Sequence, residues 1–231
     1  MEPLLRNGLT ALGLRPDAAP ALERYGELLL EKNRVMNLTA ITDPADVAAL
    51  HFLDSAALLT LADFRGKTVA DVGTGAGLPG LPLRILEPTI HLTLLDAQNK
   101  RVEFLREVCA DLGLTDVDCV HGRAEEFAAD HRERFDLVTS RAVANLRLLA
   151  ELCLPLVKVG GAFLAMKSVD CDGELAEAQT AIRTLGGSVE RVADYLIPGT
   201  DVRHRLIFMK KNQKTEKKYP RTFAKIKKNP L

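Results

Sequence analysis

The chain has 231 residues, 47% of them apolar and 27% charged, which fits a soluble protein of one domain with a sizeable appendage or of two small domains. No apolar run approaches the roughly 20 residues of a membrane span, and no basic-then-apolar segment opens the chain, so the sequence argues against a membrane anchor and a secretory signal. The formal net charge is zero, and the four cysteines are dispersed without C-x-x-C spacing, which indicates reduced thiols in a cytoplasmic protein rather than a zinc or disulfide framework.

Residues 1 to 62 are predicted to form an N-terminal helical segment, because they contain no glycine loop and no strand pattern. Leucines recur at helical spacing up to a stop at Gly13. A second helix is expected to be capped by Asp17. A third is expected to begin at Asp43-Pro44, where aspartate can cap and proline suits the first turn.

The third predicted helix carries the polar sequence His51-Phe52-Leu53-Asp54-Ser55. His51 and Asp54 are three residues apart and therefore lie on the same helix face. They could form a catalytic pair or touch the substrate, whereas such a pair more often makes a structural hydrogen bond to a neighbouring element. Both interpretations stay open at this point.

Residues 63 to 211 alternate between strand and helix patterns, which predicts a parallel sheet covered on both faces. The strand candidates are Thr68–Val72, His91–Leu95, Val117–His121, Phe135–Thr139, Ala162–Met166, Ser188–Val192 and Arg203–Lys210. A short connection between the last two predicts an antiparallel hairpin at the sheet edge. The predicted fold class is α/β, with a Rossmann-like, seven-stranded, mostly parallel sheet, a terminal antiparallel hairpin and an N-terminal helical extension. This is the arrangement of class I methyltransferases, whereas a nicotinamide dehydrogenase usually continues with another parallel unit.

The first predicted strand runs into a glycine-rich turn, Asp71-Val72-Gly73-Thr74-Gly75-Ala76-Gly77-Leu78-Pro79-Gly80. Glycine permits positive φ and a close approach of backbone to a ligand. The spacing of Gly73, Gly75 and Gly77 differs from the G-x-G-x-x-G fingerprint of dinucleotide sites, and no G-K-[ST] follows, which excludes a P-loop. An acid two residues before the first glycine, Asp71, suits the ammonium and sulfonium groups of S-adenosylmethionine (AdoMet), which carries no phosphate. The turn therefore predicts an AdoMet site.

Polar residues at the ends of the second and third strands extend the predicted AdoMet site. Asp96 follows the second strand, 19 positions past Gly77, close to the roughly 20 expected of an acid that accepts the ribose hydroxyls. After the third strand, Ala124 can offer its backbone and Glu125 its side chain to the adenine. Each acid alone could be a helix cap, but acids at successive strand ends are much more specific.

The active site is predicted where strands one and four end, at the switch point of the sheet. The segment after strand four has neither the Asn/Asp-Pro-Pro-aromatic motif of many nucleic-acid amino-methyltransferases nor a nucleophilic cysteine, and Arg141 is its lone strong cation. An arginine can hold a phosphate or carboxylate bidentately or donate to guanine O6 and N7. Arg141 is therefore the predicted catalytic residue, and whether it serves the cofactor or the base stays open. The alternative is an ion pair of Arg141 with Asp136 or Glu125.

The chain ends in a basic segment. Lys210 to Leu231 contains nine Lys or Arg and one acid, Glu216, a net charge of +8 that residues 1 to 209 balance with −8. A basic tail on an acidic body indicates a polyanionic partner, although a solvated, disordered end explains the composition equally well. The predicted domain organisation is a helical segment (1–62), an AdoMet-binding methyltransferase domain (63–211) and a basic tail (212–231).

Blocks of residues distributed along the chain match a known enzyme family. They are Asn37-Leu38-Thr39-Ala40-Ile41, His51-Phe52-Leu53-Asp54-Ser55, the glycine-rich turn, Leu94-Leu95-Asp96 with Lys100-Arg101, Arg123-Ala124-Glu125, Ser140-Arg141-Ala142-Val143-Ala144, Ala165-Met166-Lys167, Tyr219-Pro220-Arg221 and Lys228-Asn229-Pro230-Leu231. On these residues the chain resembles, over nearly its whole length, the RsmG (GidB) family of bacterial 16S ribosomal RNA guanine-N7 methyltransferases. Many methyltransferases share the glycine-rich turn, whereas the N-terminal blocks and the ending are specific to this family.

The resemblance implies which residues contact the cofactor. These are Gly73, Leu78, Asp96, Ala124, Glu125 and Arg141. Two positions depart from the family pattern: Ala97 stands where serine is frequent, and Ala224 where the ending often has glycine. The first is expected to remove one polar contact near the ribose, and the second bears on the conformation of the tail.

The resemblance also implies the substrate, a guanine of 16S ribosomal RNA within the 30S ribosomal subunit, and with it a cytoplasmic location. We expect a monomer. Guanine N7 carries a lone pair and no proton, so its methylation needs no general base, which agrees with the missing base-like motif after strand four. Salt-sensitive phosphate contacts are expected from Lys100, Arg101, Lys167, Arg221, Lys225, Lys227 and Lys228.

Two rival interpretations remain at this stage. One is an AdoMet-dependent methyltransferase that acts on a protein or a small molecule. The other is a non-catalytic RNA-binding factor that keeps a methyltransferase fold. A nicotinamide oxidoreductase is a more distant alternative. Transfer of a labelled methyl group from AdoMet discriminates among them, because each interpretation predicts a different labelled molecule or none.

Overall fold

Seven strands form one sheet in the computed structural model, which describes residues 1–141 and 144–231. In chain order the strands are β1 Thr68–Val72, β2 His91–Asp96, β3 Val117–His121, β4 Phe135–Arg141, β5 Val157–Ser168, β6 Gly187–Leu196 and β7 Arg203–Lys211. Their order across the sheet is β3-β2-β1-β4-β5-β7-β6. Strands β1 to β5 are parallel to their neighbours, and β7 runs antiparallel to both β5 and β6. The predicted mostly parallel sheet with a terminal antiparallel hairpin is confirmed.

Strand β5 begins at Val157 rather than at the predicted Ala162. The pair Gly160-Gly161 resembles a strand boundary in sequence but lies inside the strand. Gly160 has a φ of +90°, and a Cβ on Gly161 would overlap the carbonyl oxygen of Asp136 on β4. The register of β4 against β5 shifts at this point. The glycines therefore serve a bulge and a close approach of two strands, not a turn.

Helices cover both faces of the sheet. Their ranges are Glu2–Ala11, Ala19–Met36, Pro44–Leu61, Gly80–Leu86, Asn99–Asp111, Ala124–Asp130, Leu146–Cys153, Asp172–Thr184 and Phe223–Lys228. The sequence does not predict Ala124–Asp130 or Phe223–Lys228 as helices, because each is too short to give a periodic signal.

Two helix caps are expected from the sequence, one for the second helix and one for the third. Asp43 caps the third helix as predicted, since its Oδ1 accepts hydrogen bonds from Ala45 N at 2.8 Å and Asp46 N at 3.1 Å. The predicted cap at Asp17 is wrong. The second helix starts only after a 3-10 turn that contains Asp17, whose carboxylate is paired with Arg15 instead. A proline in the first turn of this helix already removes one of the unpaired N–H groups that a cap would satisfy.

The third helix, Pro44–Leu61, contains a π-helical stretch from Val47 to Leu53. Stretches of this kind are rare and occur frequently at functional sites. By length and composition alone this helix could cross a membrane, but 61% of the span is buried inside the protein. Its apolar character is therefore explained by its place in the core.

Two hydrophobic cores lie on opposite faces of the sheet. The N-terminal helices and Asn99–Asp111 contribute to the first core, in which Leu22 and Phe52 are fully buried. The second core lies beneath the helices Leu146–Cys153 and Asp172–Thr184. The predicted N-terminal segment thus shares its core with the sheet, and this common packing fixes its third helix against the edge where the parallel strands end.

The basic tail is folded onto the second core. Tyr219 and Ile226 are buried, and Arg221 makes three hydrogen bonds to the fully buried Glu151. Arg147 of the same helix donates to the backbone oxygens of the last two residues. These contacts contradict the interpretation of the tail as a disordered end.

Candidate functional site

The glycine-rich turn follows β1 and folds back over the end of β2. Gly73, Gly75 and Gly77 have φ values of +69°, +61° and +101°, in the left-handed region that residues other than glycine rarely adopt. The N–H groups of Gly73 and Thr74 both donate to Leu95 O, at 2.9 and 3.1 Å. These bonds hold the turn beside the acid predicted to bind ribose.

Asp71 lies beneath the turn and is fully buried. Its Oδ2 accepts hydrogen bonds from Thr74 Oγ1 at 2.7 Å and Gly80 N at 2.9 Å, and its Oδ1 from Thr139 Oγ1 at 3.3 Å. Burial raises the pKa of Asp71 to about 6, although these hydrogen bonds favour the carboxylate. The structure differs from the expectation that this acid faces the cationic groups of AdoMet, because its Oδ2 braces the turn and its Oδ1 accepts from Thr139 on β4.

The N-terminal segment braces the same turn from the other side. Tyr25 donates its hydroxyl to Ala76 O, and both residues are buried. A Cβ on Gly77 would lie 2.8 Å from Tyr25 Oη and 2.6 Å from Leu81 Cδ1, so only glycine allows this approach. Gly77, predicted as a cofactor contact, therefore packs against the interior. The sequence does not reveal this contact, because Tyr25 and Ala76 are 51 residues apart.

Tyr25→Phe is expected to destabilise the protein by about 1 to 2 kcal/mol, because it leaves the buried carbonyl of Ala76 without its donor. Urea unfolding of the two proteins measures the difference in the free energy of unfolding. Tyr219→Phe is the matched control, since Tyr219 is also buried and its hydroxyl has no hydrogen-bond partner among the described residues. Equal losses in the two variants would show that the Tyr25 hydroxyl does not brace the turn.

A cavity of about 420 Å³ opens between the glycine-rich turn and the N-terminal segment, at the edge where the parallel strands end. Its walls consist of Leu38, Thr39, His51, Gly73, Thr74, Gly75, Ala76, Leu78, Asp96, Ala97, Gln98, Arg101 and Arg141. Among the predicted cofactor contacts, those in the walls are Gly73, Gly75, Leu78, Asp96 and Arg141. The chemistry of the sequence does not single out Leu38 and Thr39, because an apolar residue and a threonine in a loop carry no signature of a site.

Asp96 ends β2 and is almost fully buried at the floor of the cavity. Its Oδ2 accepts a hydrogen bond from Gly75 N at 2.9 Å, and its Oδ1 one from Gln98 N at 2.8 Å. Arg101 lies 3.6 Å from Oδ2. A carboxylate has about four acceptor positions, so Asp96 can still accept the two hydroxyls of a ribose while its orientation is fixed by backbone.

Ala124 and Glu125, also predicted as cofactor contacts, are not among the residues that line this cavity. They begin the helix that follows β3, and both are half-buried. Gly122 N donates to Asp96 O at 3.0 Å, so the segment before the helix is joined to the ribose-binding position. Their contact with an adenine stays a prediction.

Arg141, at the end of β4, lies in the cavity wall with a partner that the sequence does not suggest. Its Nη1 donates to Asp54 Oδ2 at 3.2 Å and to Leu50 O at 3.0 Å. The expectation of an ion pair is correct in kind, but the expected partners, Asp136 and Glu125, are wrong. Asp136 lies five residues back along an extended strand, about 16 Å away. The next two residues of the family block, 142 and 143, lie outside the described residues.

His51 and Asp54 of the third helix both face Arg141. Arg141 Nη2 lies 3.2 Å from His51 Nδ1. Nδ1 also lies 3.2 Å from Leu50 O, but that oxygen accepts from Arg141 Nη1. Since a guanidinium only donates, Nδ1 is assigned as the acceptor of Nη2, and the ring proton is assigned to Nε2, which lies 2.7 Å from Thr39 Oγ1. Burial and, secondarily, the charge of Arg141 lower the pKa of His51 to about 4, so the ring is neutral near pH 7. His51 and Asp54 thus both accept hydrogen bonds from Arg141 on β4, which is a structural contact with a neighbouring element.

The free energy of unfolding of the protein is expected to depend on pH through His204 of β7, which contacts Asp54. Its Nδ1 donates to Asp54 Oδ1 at 2.8 Å, and this hydrogen bond raises the pKa of His204 above its usual 6.5. Because the pKa of His204 is higher in the folded than in the unfolded protein, its protonated form stabilises the fold. This stabilisation is complete at pH values below the pKa in the unfolded protein and is lost as the pH rises through the pKa in the folded protein. His204→Asn keeps a donor but does not titrate, so it should cost more stability at about pH 6 than at about pH 8.5. A cost by urea unfolding that is independent of pH would contradict this role.

The residues predicted to bind RNA phosphates differ in exposure. Lys100 lies on the surface at the start of the helix Asn99–Asp111. Lys225, Lys227 and Lys228 are exposed on the short tail helix, whose Ile226 faces the core. These four lysines have the accessibility that phosphate contacts require.

The other predicted phosphate contacts are held by the protein itself. Lys167 Nζ donates to Glu174 Oε1 at 2.6 Å and to Ala144 O at 2.7 Å, and only 12% of its side chain is exposed. Arg221 is bound to Glu151 as described above, and Arg101 lies in the cavity wall. The structure therefore differs from the expectation for Lys167 and Arg221, because each is paired with an acid of the protein. Lys167 pairs with the half-buried Glu174 seven residues away, and Arg221 pairs with the buried Glu151 70 residues away.

Comparison with known proteins groups the chain with one set of relatives. A family model described as rRNA small subunit methyltransferase G matches residues 18–204. A Clostridium botulinum protein named Ribosomal RNA small subunit methyltransferase G is 45% identical over 210 residues, which cover 90% of this chain and 88% of the relative. A protein of the same name from Alkaliphilus oremlandii is 44% identical over 237 residues, which cover 100% and 99%.

Solved structures agree on the fold. A SAM-dependent methyltransferase from Aquifex aeolicus matches with a TM-score of 0.53 and 20% identity, over 72% of this chain and 93% of that chain. The YcgJ protein from Bacillus subtilis matches with a TM-score of 0.54 and 18% identity, over 71% and 100%. At these identities the likeness concerns the methyltransferase fold alone.

Proposed function

Since the chain belongs to the rRNA small subunit methyltransferase G family, we propose that it transfers a methyl group from AdoMet to N7 of a guanine in 16S ribosomal RNA. Membership makes the chain an AdoMet-dependent methyltransferase of small-subunit ribosomal RNA. The observation that carries the proposal is the shared cavity, which is bounded by the AdoMet-type turn on one side and by the N-terminal residues Leu38, Thr39 and His51 on the other.

The residues around the cavity fit AdoMet. A Cβ on Gly75 would meet no atom within 4 Å, so the turn leaves open space where a ligand can lie against backbone. Asp96 retains acceptor capacity for ribose hydroxyls, and Leu78 offers an apolar surface at the same wall. Arg141 brings a cation that matches the carboxylate of the methionine moiety. These residues would hold the cofactor.

The chemistry at the cavity favours N7 as the acceptor. AdoMet, when bound, supplies an electrophilic methyl group on a sulfonium. Guanine N7 attacks with a lone pair and releases no proton, so the protein needs no general base. His51 fits this requirement, because its Nδ1 accepts from Arg141 and its Nε2 is engaged with Thr39, which leaves no nitrogen to take a proton. The protein's contribution is then to orient the two reactants and exclude water.

We infer that the exposed lysines of the tail helix contact RNA near this cavity. The guanidinium of Arg123 lies 5.9 Å from the centre of the Phe223 ring, so the tail helix adjoins the segment that follows β3. That segment is hydrogen-bonded to Asp96 in the cavity floor through Gly122. A cationic surface therefore lies at the same edge of the sheet as the cofactor site, which supports phosphate contacts on either side of a target guanine.

The proposed substrate sets the proposed partner and location. We infer that the enzyme acts as a monomer in the cytoplasm on the 30S ribosomal subunit, where the RNA carries ribosomal proteins. The acidic body of the protein would repel naked RNA, whereas the cationic surface around the tail helix would attract it.

A methyl-transfer assay tests the proposal. Purified protein is incubated with labelled AdoMet and 30S subunits isolated from cells that lack this activity, and the RNA and protein fractions are separated afterwards. Label is expected in 16S ribosomal RNA. Label in ribosomal proteins would favour a protein methyltransferase, and binding of subunits without any transfer would favour a non-catalytic RNA-binding factor.

A further inference from the structure

A buried group of polar side chains connects the cavity wall with the terminal hairpin. At its centre is Asp54 of the third helix, which is 0% exposed. Its Oδ1 accepts hydrogen bonds from Tyr195 Oη on β6 and from His204 Nδ1 on β7, both at 2.8 Å. Its Oδ2 accepts from Nη1 of Arg141 on β4 at 3.2 Å. One carboxylate thus joins the helix to three strands.

The hydrogen bonds of Arg141 leave part of its guanidinium available to a ligand. A guanidinium has five N–H donors. Nη1 uses two of them, on Asp54 and on Leu50 O, and Nη2 uses one on His51. The remaining donors, on Nε and Nη2, have no protein partner within residues 1–141 and 144–231. With 16% of its side chain exposed, Arg141 is held on one edge and can donate from another into the cavity.

A buried carboxylate is costly unless charges and hydrogen bonds compensate it. Asp54 has one permanently cationic neighbour, Arg141, and two further donors, Tyr195 and His204, of which His204 is also cationic when it is protonated. The hairpin residues occupy one oxygen of Asp54, so the other is directed at Arg141. The two oxygens therefore differ in role, since one anchors the carboxylate and the other orients the arginine.

We propose that Asp54, held in place by Tyr195 and His204, is a positioning residue that fixes the Arg141 guanidinium in the wall of the cofactor cavity. Asp54 touches neither reactant and acts through Arg141. The inference relies on AdoMet binding in this cavity and does not depend on which atom of the RNA is methylated. It also gives the terminal hairpin a role, since β6 and β7 each contribute one of the two anchors.

The alternative is that Asp54 merely staples the third helix to the hairpin. In that case its removal lowers stability and leaves a folded site unchanged. A double-mutant cycle on cofactor affinity separates the two roles, because a positioning residue loses its effect once the residue it positions is gone.

The measurement is the dissociation constant of AdoMet by calorimetry for the wild type, Asp54→Asn, Arg141→Ala and the double variant. Arg141→Ala and Asp54→Asn are each expected to weaken binding roughly tenfold or more. The double variant should bind no worse than Arg141→Ala alone. Asp136→Asn is the control, since Asp136 is a hydrogen-bonded carboxylate at the opposite edge of the sheet. It should leave the affinity unchanged.

Tyr195→Phe keeps the inference testable if Asp54→Asn does not fold. It removes one anchor and retains the ring, so it should weaken AdoMet binding by roughly threefold, again without effect in the Arg141→Ala background. Independent, multiplicative losses from Asp54 or Tyr195 and Arg141 would overturn the proposal, and so would unchanged affinity in the folded single variants. None of these results depends on methyl transfer to RNA, so a failure here is distinct from a failure of the proposed reaction.

Discussion

Gly75→Asn is expected to reduce AdoMet affinity at least roughly 100-fold, as measured by calorimetry. Asparagine tolerates the left-handed backbone better than most residues, so the φ of +61° at this position costs little. The effect is steric: the protein leaves the space beside Gly75 empty, and a side chain there would enter the cavity that the cofactor needs. Asparagine adds no charge next to Asp96, which keeps the interpretation simple.

Gly113→Asn is the matched control for this substitution. Gly113 has the same φ of +61° and equally open space around a Cβ, but it lies in the turn before β3, outside the cavity walls. The two variants therefore share any backbone strain and differ only in the cavity. Affinity that falls equally in both, or that is retained in Gly75→Asn, would contradict the assignment of the cofactor site to the glycine-rich turn.

Replacing Lys225, Lys227 and Lys228 together by glutamine is expected to weaken binding to 30S subunits by roughly 10- to 100-fold at moderate salt. Each lost phosphate contact should also reduce the slope of log affinity against log salt by about 0.7 to 0.9. Binding measured over a series of salt concentrations gives both quantities. The substitutions change only exposed side chains, so the buried contacts of Ile226 with the second core persist.

The control for the tail variant removes the same charge from another part of the surface. Arg65, Lys67 and Lys158 lie at the opposite edge of the sheet, near the start of β1, and their replacement by glutamine should leave the salt slope unchanged. Equal slopes for the two triple variants would contradict a specific phosphate surface on the tail helix. Deleting the tail is a poorer experiment, because Tyr219 and Ile226 belong to the core and their loss would perturb the fold.

The sequence predicts those parts of the fold that depend on local patterns. The strands are predicted from β-branched runs between turn residues. The sequence also predicts that the glycine-rich turn and Asp96 lie in one cavity, because parallel strands end at the same edge of the sheet. Strand β6 extends to Leu196, four residues past its predicted end, and strand β5 is the main exception. Its internal glycines have the composition of a turn, and only the neighbouring strand reveals that they serve a close approach.

Contacts between distant segments could not be predicted in the same way. Arg141 and Asp54 are 87 residues apart, and Arg221 and its partner Glu151 are 70 residues apart, so no local pattern identifies either pair. Likewise, Asp71 has the right spacing for a cofactor contact, but its side chain points beneath the turn. Residue type and spacing reveal which segments form the site, whereas the direction of a charged side chain depends on the packed structure.

Folding of the tail depends on a similar distant pair. Arg221 and Glu151 are 70 residues apart, and burial of the carboxylate makes the pair an anchor for the segment that follows. A net charge of +8 gives no indication of this contact. The tail therefore packs onto the second core with the lysines of its helix exposed, and it does not extend as a free arm.

Identifying the methylated nucleoside tests the central claim most directly. After transfer from labelled AdoMet to 30S subunits, the 16S RNA is digested to nucleosides and the label is separated by chromatography against standards. The account predicts that the label migrates with 7-methylguanosine. Label in a nucleoside methylated on an exocyclic amine, on N1 of guanine or on another base would contradict methyl transfer without a general base at N7.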